Sequence, residues 1–231
     1  MKTIGIIGGM SWESTVTYYQ IINTLVKDRL GGFHSAKCLL YSVDFHEVEA
    51  CMAQGDWDGA AAIVADAAIA LENGGADFFL IATNTVHKVA GQVRDAVNIP
   101  LLHIADAVAD DLAKYGVQTV GFLGTKYTME QDFYRNKLAA HGFDMIIPGV
   151  EDRDRLNEII FGELCLGSVR QESRMFLLDC IESLERVGAE AVVLGCTELG
   201  MLAEQDDVEL PLFDTTLIHA RRAALHALGE R

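Results

Sequence analysis

The stretch Lys2-Thr3-Ile4-Gly5-Ile6-Ile7-Gly8-Gly9 reappears in kind as Gln118-Thr119-Val120-Gly121-Phe122-Leu123-Gly124-Thr125. Two further pairs follow in the same order at nearly the same offset: Gly75-Ala76-Asp77 with Gly188-Ala189-Glu190, and Ile99-Pro100-Leu101 with Leu210-Pro211-Leu212. Self-similarity at one long spacing constrains a fold more than any local pattern, because each copy must build the same unit. Two similar lobes are therefore expected, divided as 1–100 plus 214–231 and 101–213.

Within each lobe, short aliphatic runs alternate with helical patterns. Thr3 to Gly8, Cys38 to Val43, Phe78 to Ile81, Leu101 to His103, Thr119 to Leu123 and Ala191 to Leu194 read as strands. Tyr18, Ile21, Ile22 and Leu25 recur at helical spacing, as do Ala60, Ile63, Val64, Ala67, Ala68 and Leu71. Leu177, Cys180, Ile181 and Leu184 make a third helical face. Thr128 to Gln131 and Ser168 to Gln171 have capping-box spacing and predict helix starts there. Such alternation means parallel βαβ units, so the fold class is α/β, each lobe a short parallel sheet flanked by helices. Ligands gather at the carboxyl ends of such strands, and a cleft site between the lobes would be lined by strand ends of both.

Half of the residues are apolar, enough for a substantial core. Thirty-four acidic residues against eighteen basic ones give a net charge of -16, with no Lys/Arg cluster, which argues against nucleic acid or an anionic membrane as partner. No apolar run reaches the roughly 18 to 20 residues of a membrane span, and the chain opens directly into a strand without a signal-peptide pattern. A cytoplasmic protein is expected. The five cysteines, 38, 51, 165, 180 and 196, are odd in number and never in CxxC spacing, so reduced thiols are expected rather than disulfides or a zinc knuckle. The histidines form no tight metal pattern, and no metal site is expected. Gly8-Gly9 is not a GxGxxG turn, which argues against dinucleotide binding.

Cys196 follows the run Ala191 to Leu194, at a strand's carboxyl end. It is either a partly ionised base or nucleophile or an ordinary buried core cysteine. Overlaying the repeats puts Thr83 opposite Cys196, Asn84 opposite Thr197 and Ala82 opposite Gly195. Two proton-handling side chains on opposite walls of a cleft suit removal of a proton from one face of a carbon and its return to the other. That is racemisation or epimerisation.

With Gly8-Gly9-Met10-Ser11, Asn84-Thr85-Val86-His87, Leu123-Gly124-Thr125 and Gly195-Cys196-Thr197-Glu198 in order, the chain resembles the cofactor-independent aspartate/glutamate racemases over essentially its full length. The resemblance implies two lobes related by a pseudo-twofold, a site between them, and a cysteine pair that exchanges the α-proton of an acidic amino acid. It also implies no pyridoxal phosphate, no metal, and a homodimer. One departure matters: Thr83-Asn84-Thr85 stands where the family has Cys-Asn-Thr. A thiol, ordinarily near pKa 8.5, can be lowered to a thiolate, whereas a threonine hydroxyl is far too weak an acid. Cys196 is thus expected to be the thiolate base and Thr83 a proton donor or relay opposite it; resemblance to the family's stereochemistry implies that the L-form is preferred. Met10, Ser11, Asn84, Thr85, Thr125, Thr197, Glu198 and His87 are expected to bind substrate through amides and hydroxyls. Glu198 would orient the substrate amine or cap a helix; His87 would tune the site or serve as a helix-start histidine. A second departure is that Ser42-Val43-Asp44-Phe45-His46 lacks the Arg that holds the side-chain carboxylate in aspartate-specific relatives. Lys126 and Arg135 are the remaining charge partners. Two other classes stay open: a single-cysteine decarboxylase or isomerase of a dicarboxylate, and a non-enzymatic small-molecule binder.

Overall fold

The structure is a computed structural model and describes residues 1–230. In chain order its main elements are β1 (Ile4–Gly8), α1 (Trp12–Leu30), β2 (Cys38–Ser42), α2 (Phe45–Gln54), α3 (Trp57–Asn73), β3 (Phe78–Ile81), α4 (Ala90–Asp95) and α5 (Ile104–Leu112). There follow β4 (Thr119–Gly124), α6 (Lys126–Glu130), α7 (Asp132–Ala140), β5 (Asp144–Ile146), α8 (Val150–Gly162), α9 (Gln171–Arg186), β6 (Ala191–Gly195), β7 (Leu212–Asp214) and α10 (Thr215–Leu228). The chain divides into two compact units: Met1–Ile104 joined by the chain from His219 onward, and Ala105–Ile218.

Each unit holds one parallel sheet. The first has the order β2-β1-β3, the second β5-β4-β6-β7. An isolated parallel bridge between Phe79 and Leu101 occupies in the first sheet the place that β7 occupies in the second. The predicted strand Leu101 to His103 shrinks to that bridge, because the next amide along, Ile104 N–H, is taken by the His87 ring and the chain turns into α5.

The repeat persists at the level of single hydrogen bonds. Asp77 N–H donates to the Thr3 carbonyl and Glu190 N–H to the Thr119 carbonyl, each at 2.9 Å. Their carboxylates accept in return from Thr3 N–H at 2.6 Å and Thr119 N–H at 2.8 Å. Phe79 N–H donates to Pro100 at 3.0 Å, as Val192 N–H does to Pro211 at 2.9 Å. An acidic residue and a proline recur at these points because each closes one corner of a sheet.

Helix starts differ from expectation in unit 2. Thr125, not Thr128, caps α6: its Oγ1 accepts from Thr128 N–H at 3.3 Å, while the Thr128 hydroxyl donates back to the Thr125 carbonyl. The backbone then extends at Gln131, so one predicted helix becomes two. Ser168 does not cap α9 either, since its N–H is drawn to the Glu163 carbonyl and the helix begins after Arg170. The unpredicted α2 buries only Val48 and Met52, too thin an apolar stripe to read, and is started by Asp44 accepting from His46 N–H.

Ile4, Ile6, Tyr18, Ile22, Phe78 and Leu80 pack in unit 1 against Ala220, Ala223, Ala224 and Ala227 of α10. Each fully buried large aliphatic of this kind contributes about 1.5–3 kcal/mol. Among the described residues no helix is long and apolar enough to cross a membrane.

Candidate active site

In unit 1 the parallel pairing of β1 with β3 brings their following loops side by side, and Ala82 N–H donates the last ladder bond to the Ile7 carbonyl at 2.8 Å. Met10 and Ser11 lie on the first loop, Thr83, Asn84 and Thr85 on the second. Gly9 has φ +93, and a Cβ there would lie 2.3 Å from the Val43 carbonyl oxygen, so only glycine lets this turn pass the end of β2. The Ser11 hydroxyl caps α1 by accepting from Ser14 N–H at 3.3 Å. Thr83 is 9% exposed.

His87 lies 2.7 Å through Nδ1 from the Thr83 carbonyl oxygen. A carbonyl only accepts, so the ring proton is on Nδ1, and Nε2 accepts from Ile104 N–H at 3.3 Å. Burial, reinforced by His103 and His219, pushes His87 well below the ordinary histidine range. His219 shows the opposite tautomer. Its Nε2 donates to the Leu102 carbonyl and its Nδ1 accepts from the Tyr18 hydroxyl, each at 2.9 Å, while burial pushes it down to about 3. Both ring nitrogens of His87 are thus engaged inside unit 1, and the ring is 3% exposed. Tyr18 read in sequence only as part of a core stripe, and nothing marked His219 as its partner.

In unit 2, β4 pairs with β6 in register Gly124 to Gly195, so Thr125 and Cys196 leave adjacent strand ends. The two ladders match. Ile7 faces Ile81 as Leu123 faces Leu194, which makes Thr83 and Cys196 equivalent positions, each two residues beyond the matched pair. A Cβ on Gly195 would lie 2.0 Å from the Phe122 ring, so the large ring requires glycine beside Cys196.

Cys196 is 6% exposed, and its Sγ–H donates to Glu198 Oε2 at 3.1 Å. Thr197 Oγ1 donates to the same oxygen at 2.6 Å. Burial pushes the Cys196 thiol well up, the charges of Glu198 and then Cys165 add to this, and the Glu198 backbone N–H acts in the other direction. Burial and these charges both favour the protonated thiol, whose proton is directed at a carboxyl oxygen. Glu198, 3% exposed, serves the thiol and the Thr197 hydroxyl rather than only a helix end. Lys126 pairs with Asp154 at 2.5 Å, and Arg135 donates to the Met145 carbonyl at 2.6 Å, so both proposed charge partners have other work. Among the described residues no group of three or more His, Cys, Asp or Glu is arranged to hold a metal ion. What unit 2 offers is a thiol with a proton acceptor; what unit 1 offers is a hydroxyl on a pinned loop.

The family profile for Asp/Glu/Hydantoin racemase matches residues 7–223. A Yersinia pestis structure named as a candidate Asp/Glu racemase is 50% identical, with a TM-score of 0.92 over 99% of this chain and 100% of that one. An aspartate racemase homologue from Pyrococcus horikoshii OT3 is 37% identical, with a TM-score of 0.86 over 99% and 100% of the two chains. The broad specificity amino-acid racemase RacX of Bacillus subtilis strain 168 is 23% identical over 170 residues, 72% of this chain and 71% of that one.

Proposed function

The chain belongs to the Asp/Glu/Hydantoin racemase family, and we propose that it inverts the α-carbon of an acidic amino acid, aspartate or glutamate, using Cys196 and Thr83 without pyridoxal phosphate. The observation that carries this reading is the Cys196 thiol proton directed at Glu198 Oε2. Glu198 takes that proton, and the thiolate so formed removes the α-proton from the L-substrate. The resulting carbanion places charge on the α-carboxylate, which backbone amides and hydroxyls around Met10, Ser11, Asn84, Thr85, Thr125 and Thr197 stabilise. Thr83 then passes a proton to the opposite face and regains one from water, while Glu198 returns its own to solvent. No net proton is consumed.

Because a hydroxyl is a poor base, the cycle is asymmetric: it starts from the L-face and runs slowly from the D-face. Family membership and the likeness to the aspartate racemase homologue of Pyrococcus support an acidic side chain. The breadth of the Bacillus relative makes a neutral amino acid a necessary comparison substrate. A homodimer belongs to the same proposal and is checked by sedimentation velocity.

The test is α-proton exchange in D2O followed by NMR with L- and D-aspartate, L- and D-glutamate, and L-alanine, on the wild type and on Cys196→Ala. Exchange of an L-acid that drops by about 1,000-fold or more in the variant supports the reading. Silence with every substrate favours the decarboxylase or the binding protein instead. Exchange of alanine as fast as the acids would replace the acidic substrate with a broad one.

A further inference from the structure

A hydroxyl that must meet a carbanion serves only if its oxygen stays in place, since a misplacement of about 1 Å can cost about 100-fold in rate. Thr83 lies past the last ladder bond of β3, so the sheet does not fix its peptide. Its carbonyl is instead gripped by His87 Nδ1–H at 2.7 Å. From that geometry, and from the reading of Thr83 as the partner of Cys196, we infer that His87 is a positioning residue for Thr83: it pins the Thr83 peptide and so sets where the hydroxyl points. Threonine is stiff at χ1, so a fixed peptide leaves its hydroxyl few directions.

The grip is itself anchored. His87 Nε2 takes Ile104 N–H at the start of α5, two residues beyond Leu102, whose carbonyl is held by His219 with Tyr18 behind it. Each ring has one donor and one acceptor position, and the backbone partners fix the sense: Thr83 and Leu102 carbonyls accept, Ile104 N–H donates, and the Tyr18 hydroxyl then donates to His219 Nδ1. The His87 ring also packs edge-on to His103 at 4.5 Å, which fixes its plane. Side-chain hydrogen bonds of this kind stabilise any protein, so loss of stability alone would not separate positioning from scaffolding.

Two conservative variants do separate them. His87→Asn keeps a donor near the Nδ1 position and loses the acceptor for Ile104; His87→Gln reaches the Nε2 position and loses the donor to Thr83. The measurement is the fraction of α-deuterium uptake by the L-substrate in D2O that ends as D-product, read together with the thermal midpoint. Inversion needs Thr83, whereas exchange with retention needs only Cys196. His87→Gln is expected to lower that fraction by about tenfold or more, with His87→Asn within about twofold of wild type. An unchanged fraction in Gln, or equal falls in Asn and Gln, would overturn the inference while leaving the racemase reading intact. Absence of any exchange in the wild type would instead remove that reading and the inference with it. A check on the native protein guards against misfolded variants: the ring 15N shifts of His87 should show the Nδ1–H tautomer with and without L-substrate. An Nε2–H tautomer would overturn the proposal.

Discussion

The Thr83 loop of unit 1 and the Cys196 loop of unit 2 occupy equivalent places on equivalent sheets, yet they carry opposite kinds of chemistry. Around Thr83 the ionisable groups are rings held neutral and used as struts, His87 and His219. Around Cys196 they are a thiol and a carboxyl sharing one hydrogen bond. A duplicated backbone thus carries a thiol hydrogen-bonded to a carboxyl in unit 2 and a hydroxyl on a histidine-held loop in unit 1. The difference lies in two or three side chains at the strand ends, and the sheets themselves do not distinguish the two loops.

Short of removing the Cys196 thiol itself, the largest effect expected from disturbing this contrast is at Glu198. Glu198→Gln leaves the thiol a partner that cannot take its proton, so the thiolate must form against burial. Exchange of the L-substrate at neutral pH should fall on the order of 100-fold and recover as pH is raised, measured as the initial rate of deuterium uptake. An unchanged rate would mean that the thiolate arises without Glu198. The next effect is a gain. Thr83→Cys gives the two equivalent positions the same side chain, and turnover of the D-substrate should rise by about tenfold or more, followed by circular dichroism of the product. No gain would show that the Thr83 position does not face the reacting carbon.

Much of this contrast is legible in the sequence, and the reason is burial. Strands covered on both faces must be continuous aliphatic runs, so β1, β3, β4 and β6 stood out, and their repetition identified Thr83 with Cys196. Illegible were the interactions that depend on where one side chain turns. Nothing in Asn84-Thr85-Val86-His87 tells that the ring folds back on the Thr83 carbonyl rather than out to a substrate. Nor does Cys196-Thr197-Glu198 tell that the carboxyl curls onto the thiol two residues earlier. The caps misread for a related reason: Thr125 and Thr128 are both competent, and the choice between them is made by where β4 stops.

A third break targets packing. Ala82 and Gly195 are equivalent, as are Ile6 and Phe122, so the two units fill the same space with a methyl plus an isoleucine or with a bare backbone plus a ring. Gly195→Ala should cost about 1–3 kcal/mol by overpacking, and Phe122→Ile added to it should return part of that loss. Urea denaturation of the double-mutant cycle measures the coupling. Additive losses would mean that the cost of the Gly195 methyl does not arise from the Phe122 ring.

The smallest effect concerns pH, where the two loops should fail on opposite sides. His87 and His219 are neutral in the fold, with His219 pushed down to about 3 from an ordinary 6.5. The unfolded chain therefore binds protons first as pH drops, and the stability these rings contribute is present above 6.5 and lost on the way toward about 3. The Cys196 thiol is pushed up from an ordinary 9.0, so the unfolded chain ionises first as pH rises, and its contribution is lost above 9.0. Cys38, pushed up to about 11, and Cys180, pushed up to about 12, add to the same alkaline loss and remain in any Cys196 variant. Cys196→Ala should therefore flatten the alkaline fall of the thermal midpoint only in part, by about 2–4 °C if the thiol accounts for about 1 kcal/mol, and leave the acid side untouched. A variant whose acid side moved as well would show that the two loops are energetically coupled, and the division of labour between a neutral strut and a proton exchanger would then have to be treated as a property of both units together.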